Sequence, residues 1–244
     1  MDYRLTTQML QPVNSPTLTT EKLSLLPFPA LCFAAFYSPP LLPVLAKNYL
    51  TFGAFHKLAK MNDQVLALWA EILRQLPTAR LLIKNKALDC QQTLSAFRER
   101  CHIQGIALER LILQGFSPTY KDHLESYWEI DIALDTFPYN GHITTCEALW
   151  MGVPVITLQG ETHFGRMASA ILNSLELNEW ITRTTQQYIE ITLRLSQNRE
   201  KLNAIRCQLR EKMSHSPLGN PHLFMKRLEF AYREMWQQWC LRDT

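Results

Sequence analysis

Apolar and polar positions fall into repeating blocks from Tyr49 to about residue 183, and the period changes from block to block. Short apolar runs rich in β-formers predict strands at Tyr49–Phe55, Ala79–Lys84, Leu108–Gly115, Ile130–Leu134 and 153–158. Between them, apolar residues recur every three or four positions, which predicts helices. Asn62 or Asp63 can cap one running to Leu76, with Val65, Leu66, Leu68, Trp69, Ile72 and Leu73 inward and Pro77 as its stop. Others are predicted over Asp89–Cys101, Tyr120–Trp128, 143–152 and 164–175. Strand and helix in alternation, with short connections, predict an α/β fold: a doubly wound parallel sheet, Rossmann-like, covered on both faces.

The flanks read differently. Residues 1–48 have little periodicity and carry Pro12, Pro16, Pro27, Pro29, Pro39, Pro40 and Pro43, which predicts an extended Pro-rich connecting arm. Its Leu23, Leu25, Leu26, Phe28, Phe33, Phe36 and Tyr37 require a protein surface to lie on. Beyond residue 183 no strand is predicted. Thr185–Ser214 reads as one long helix, broken by Ser216, Pro217, Gly219 and Pro221. A last amphipathic helix, Pro221–Trp239, puts Phe224, Leu228, Tyr232, Met235, Trp236 and Trp239 on one stripe, expected to pack on a core rather than hold a cofactor. The expected division is therefore an arm at 1–48, a Rossmann-like domain at 49–183, and helices at 184–244 packing on that domain.

Composition narrows the class. With 244 residues, 47% of them apolar, the chain can bury a substantial core and is not a disordered protein. A net charge of +3 without a focused basic cluster argues against nucleic acid. Arg194, Arg199, Lys201, Arg206, Arg210 and Lys212 alternate with Glu190, Glu200 and Glu211, the pattern of a solvated helix face. Six scattered cysteines without metal-ligand spacing, and no signal-peptide pattern, lead to the expectation of a reduced, cytoplasmic protein. No membrane association is expected, since the longest apolar stretch, Leu25–Leu45, is broken by five prolines.

Candidate chemistry sits where strands end. In an open α/β sheet, ligands bind outside the carboxyl ends of the strands. The first predicted strand is followed by His56, Lys57 and Lys60; the Leu108–Gly115 strand by Ser117, Lys121 and His123. After Ile130–Leu134 comes a turn-rich stretch and then a helix start at Asn140, Gly141, His142, Ile143, Thr144 and Thr145, with Glu147 one turn further on. A helix N-terminus offers free N–H groups and a positive dipole end, which suit a phosphate. Lys60 can add a point cation, and Glu147 can accept from ribose hydroxyls. Alternatively, the Thr pair is an N-cap, the lysine is solvated, and His123 is a surface or capping residue. No Walker A or G-x-G-x-x-G motif is present.

The run 131–166, DIALDTFPYNGHITTCEALWMGVPVITLQGETHFGR, resembles the C-terminal catalytic half of the protein O-GlcNAc transferase/SPINDLY family, glycosyltransferases of the two-Rossmann-domain (GT-B) type. DYRLT at 2–6, TFGAFHKLAKMN at 51–62, LQGFSPTYKDHLESYWEIDIALDT and SPLGNPHLFMKRLEFAYREMWQQW at 216–239 extend the resemblance over nearly the whole chain, in order. It implies a nucleotide-sugar donor, UDP-N-acetylglucosamine or, as the family's alternative, GDP-fucose, and a Ser or Thr of a protein as acceptor, with inversion. By position it implies that Lys60 contacts the donor diphosphate and stabilises the leaving group, that Lys57 and the turn from Asn140 to Thr145 surround it, and that His123 lies by the base and Glu147 by the ribose. Fixed donors would replace a metal. Two positions depart from the pattern: Ile143 stands where Thr is usual, and Lys57 where Gln or Asn is usual. The resemblance further implies a partner half, an N-terminal Rossmann domain with tetratricopeptide repeats, across which the arm would pass and on which the last helix would pack. A lone donor-binding module without transferase activity is the alternative.

Overall fold

The computed structural model describes residues 2–12, 20–27, 31–34, 37, 39 and 47–241. Of the arm residues singled out above, Pro16, Phe28, Pro29, Phe36, Pro40 and Pro43 lie outside these, as do 242–244. Near the start, β1 (Tyr3–Thr6) and β2 (Lys22–Leu25) pair in parallel, so the arm carries a small sheet that its proline content concealed.

The main sheet comprises β3 (Thr51–Ala54), β4 (Arg80–Lys84), β5 (Leu111–Gln114), β6 (Ile132–Leu134), β7 (Val155–Leu158) and β8 (Ile181–Thr182). Its order is β5-β4-β3-β6-β7-β8 and every pairing is parallel. The helices between are α1 (Asp63–Gln75), α2 (Gln91–Ile103), α3 (Tyr120–Glu125), α4 (Ile143–Trp150) and α5 (Met167–Ser174). Asn62 caps α1, accepting from Val65 N. The inward face of α1 holds the six apolar residues expected there, plus Ala70. Each such large side chain, fully buried, contributes about 1.5–3 kcal/mol.

The order of the strands matters for function. From β3 the chain winds outward through β4 to β5, then returns to the other side of β3 with β6 and winds the opposite way. The β3–β6 boundary is thus the topological switch point, where neighbouring connections diverge and leave a crevice. Gly53 allows this pairing, because a Cβ there would run into the Ile130 side chain that precedes β6.

Three expectations need correction. Residues 185–214 form two helices, α6 (Thr185–Ser196) and α7 (Arg199–Ser214), because Asn198 accepts from Lys201 N and starts a new helix. The basic face of α7 is not all solvated: Arg206 is buried and gives Nη1 to the carbonyls of Ile130 and Asp131 at 2.9 and 3.0 Å. Arg210 likewise donates to Trp150 O, at the end of α4, and to Pro39 O. Finally, the stripe on α8 (Pro221–Cys240) is not a core face. Ala231 is its one buried residue, and Tyr232, Trp236 and Trp239 are 49–63% exposed. Two smaller shifts are local: residues 108–110 form a 3-10 turn before β5, and residues 126–129 another after α3.

Candidate functional site: a crevice at the switch point

One wall of the crevice is the connection from β6 to α4. Asp135 follows β6 directly and is fully buried. Its carboxylate accepts from Gly141 N at 2.6 Å, Thr136 N at 2.9 Å and the Thr157 hydroxyl at 2.6 Å. Those bonds fold residues 136–141 back onto the sheet. Burial pushes the Asp135 pKa up to about 6, against the pull of the same three donors. Asn140 stitches the loop further, giving Nδ2 to Thr136 O and Leu158 O. Gly141 has no room for a side chain: a Cβ would meet Thr145 Oγ1 at 2.6 Å, His56 Cε1 at 2.8 Å and Thr144 Oγ1 at 3.0 Å.

Helix α4 then begins, aimed at the crevice. His142 is its N-cap and makes no side-chain cap bond. Thr144 and Thr145 therefore sit inside the helix and are not the cap that one reading of the sequence allowed. Thr145 Oγ1 is buried without a hydrogen-bond partner.

The opposite wall is the turn after β3. Lys60 is half-buried and spans the gap: its Nζ donates to Asn140 O at 2.8 Å and lies 3.8 Å from the centroid of the Tyr139 ring. Burial lowers its pKa, the Asp135 charge opposes this, and Lys57 adds to it. Tyr139 in turn stacks on Phe164, ring centroids 4.8 Å apart. The space enclosed is about 630 Å³ and is lined by Lys57, Lys60, His142, Ile143 and Thr144 among others. His56 lines it too. Its Nδ1 is 3.3 Å from Thr144 Oγ1 and its Nε2 is 3.5 Å from Asp135 Oδ1. Burial, helped by Lys60, lowers the His56 pKa to about 3, so the ring is neutral near neutral pH.

A second hollow of about 350 Å³ adjoins the first, sharing Phe55 and Asn85. His123 lines it, and behind His123 lies Glu147, whose Oε2 is 3.2 Å from both His123 Nε2 and the Tyr127 hydroxyl. Phe55, Tyr127 and Tyr120 pack around the imidazole. At the far side, buried Lys84 reaches Ser117 Oγ and Gly115 O.

The residues anticipated from sequence are thus gathered at one place, in two layers. Lys57, Lys60, His142, Ile143 and Thr144 face the larger space and His123 the smaller. Asn140, Gly141, Thr145 and Glu147 are buried behind that surface. Sequence reasoning gave no role to Asp135 or Tyr139, and named His56 only as a polar group following the first strand. For Asp135 the available signal was an acid at the carboxyl end of an apolar run, six residues before a glycine.

A parallel sheet with its crevice at the switch point, a cation on one side and a helix start on the other, is the Rossmann-like half of the GT-B fold. The chain belongs to glycosyl transferase family 41, whose sequence pattern it matches over residues 42–228. Among similar proteins are two probable UDP-N-acetylglucosamine–peptide N-acetylglucosaminyltransferases named SPINDLY, from Petunia hybrida and Solanum lycopersicum. Each is 36% identical over all of this chain and 26% of its own length. A mutant of the O-GlcNAc transferase of Thermobaculum terrenum superposes with a TM-score of 0.85 at 38% identity, covering all of this chain and 46% of that one. The chain spans about a quarter of the length of the curated relatives it matches. Among the described residues no group of His, Cys, Asp and Glu is arranged to hold a metal ion, and no helix is long and apolar enough to cross a membrane.

Proposed function

We propose that this chain is the donor-binding half of a protein O-GlcNAc transferase-like glycosyltransferase, which moves a sugar from UDP-N-acetylglucosamine to a Ser or Thr hydroxyl of a protein. The observation that carries this reading is the single crevice faced by both the Lys60 ammonium and the start of α4. Breaking the bond between sugar and diphosphate leaves negative charge on the phosphate oxygens, and preorganised donors lower that barrier. Lys60 supplies one charge-assisted donor, Lys57 a second cation at the lip, and His142, Thr144 and the first-turn N–H groups of α4 the rest. Asn140, Gly141 and Thr145 hold the turn in shape from behind. The base would lie along His123 in the smaller hollow, with the ribose between, near the wall that Glu147 supports. The fixed donors make a metal unnecessary in this scheme. GDP-fucose is the alternative donor, and a second protein half bearing the acceptor site the expected partner, in the cytoplasm.

Calorimetry of the full chain with UDP-N-acetylglucosamine, UDP and GDP tests the reading. Binding by a nucleoside diphosphate is expected; a folded sample giving no heat with any of them would sink it. The coverage of only a quarter of the relatives favours a second reading, binding without transfer, in this chain by itself. Incubation with donor and a Ser/Thr peptide separates the two, since only a transferase yields glycopeptide.

A further inference from the structure

His56 links the two features that shape the crevice. One ring nitrogen faces the buried Asp135 carboxylate that folds the loop, and the other faces the Thr144 hydroxyl in the first turn of α4. The ring packs so closely on Gly141 that a Cβ there would lie 2.8 Å from its Cε1. Its backbone is held as well, by Asn85 Nδ2 donating to His56 O at 2.9 Å.

The state of this chain of groups follows from counting donors. With Asp135 ionised, the proton of a neutral ring belongs on Nε2, toward the carboxylate. Nδ1 is then bare and can only accept, so the Thr144 hydroxyl donates to it. That presents a hydroxyl lone pair, not a proton, to the crevice, which is the wrong polarity for a phosphate oxygen. Turning the Thr144 proton outward leaves Nδ1 without a partner unless the ring gains a second proton. A doubly protonated ring donates to Asp135 from one side and to Thr144 from the other.

We propose that His56 is a positioning residue for the donor: it takes up a proton from solvent as the diphosphate enters, and so turns the Thr144 hydroxyl outward to donate to a phosphate oxygen. The proposal rests on the donor-binding reading above. The other titratable or charged groups that face the ring or line the crevice with it are Lys57 and Lys60 from its own connection and Asp135 and His142 from the facing one, and the Tyr188 hydroxyl bonds Asp135 O. Burial and the Lys60 charge hold the ring neutral. A diphosphate neutralises Lys60 and adds negative charge of its own, so both changes favour the second proton. Asp135, whose pKa burial raises to about 6, and His142, which also lines the crevice, are the competing sites for that proton.

Calorimetry of UDP-N-acetylglucosamine or GDP-fucose binding, repeated near pH 7 in buffers of different ionisation enthalpy, counts the protons taken up. Both ligands carry diphosphates esterified at each end and so lack the ionisation near pH 6 of a phosphate monoester. Net uptake is expected in the wild type and lost in His56→Asn, with affinity rising as pH falls from about 8 to 6.5 in the wild type alone. Binding without uptake, or uptake that survives His56→Asn, overturns the proposal while leaving the donor reading intact. Failure of the folded wild type to bind either ligand overturns both. If His56→Asn does not fold, the His56 Cε1–H resonance of the wild type decides: it moves toward the imidazolium position on ligand addition, and an unmoved resonance overturns the proposal.

Discussion

The two walls of the crevice are built on opposite principles. The β6–α4 wall is buried and self-bonded: Asp135 accepts three internal hydrogen bonds, Asn140 donates two, and Gly141 fits only as glycine. The wall after β3 is sparse: Lys57 is exposed, and the Lys60 ammonium donates one hydrogen bond, to Asn140 O, and rests on the Tyr139 ring. The first wall fixes positions and the second supplies charge. Polar groups needed for shape can be satisfied within the protein, whereas groups that serve a ligand must keep bonding capacity in reserve.

This contrast can be broken by substitution. Asp135→Ala should have the largest effect, because it strands Gly141 N, Thr136 N and the Thr157 hydroxyl inside the protein. A loss of about 3–5 kcal/mol in urea unfolding is expected, and a loss below about 1 kcal/mol would show the wall to be less dependent on this residue than its bonding implies. Lys60→Ala should leave stability nearly unchanged but weaken nucleoside diphosphate binding by about 1.5–3 kcal/mol; unchanged affinity would remove Lys60 from the site. Gly141→Ala must displace either His56 or the start of α4 and should cost about 1–3 kcal/mol of stability, with weaker binding.

A pH experiment sharpens the comparison. The Asp135 pKa in the folded chain, about 6, lies above its ordinary value of 3.8. Its contribution to stability is therefore fully present below about pH 4 and is lost as pH rises through 6. The His56 pKa, about 3, lies below its ordinary 6.5, so its contribution is fully present above 6.5 and is lost as pH falls toward 3. From about pH 4 to 6 the two oppose each other. His56→Asn leaves Asp135 alone, and this variant should gain stability relative to wild type as pH is lowered from about 7 to 4. Parallel stability curves for the two proteins would refute the linkage. Smallest of all, Trp236→Ala on α8 should change stability by no more than about 0.5 kcal/mol, since that ring is 63% exposed.

Much of this was legible in the chain. Strands β3 to β7 and the helices between them follow from apolar period, because a sheet covered on both faces makes its strands continuous apolar runs; β8, two residues long, is too short to show a period and was not anticipated. That Lys60, His142 and Thr144 would line one crevice was legible, because crevices in such sheets open at strand ends. Arg206 was not: in a mixed-charge helix it looks solvated, and only the carbonyls of Ile130 and Asp131 lying beneath it make burial tolerable. Asp135 was hidden for a related reason. An acid at the end of an apolar run looks like a turn residue, and its donors come from positions 136, 141 and 157, which sequence does not bring together. The α8 stripe misled in the other direction, since period 3.6 reports which residues share a face and not what that face meets.

The bond from Lys60 to Asn140 O sets the gauge of the slot. It runs from one wall to the backbone of the other, so the opening is spanned by a strut. On the donor-binding reading proposed above, an arriving anion finds the cation aimed and the gap measured. It has only to outbid a single carbonyl for the ammonium's attention, and the loop behind that carbonyl stays where Asp135 put it.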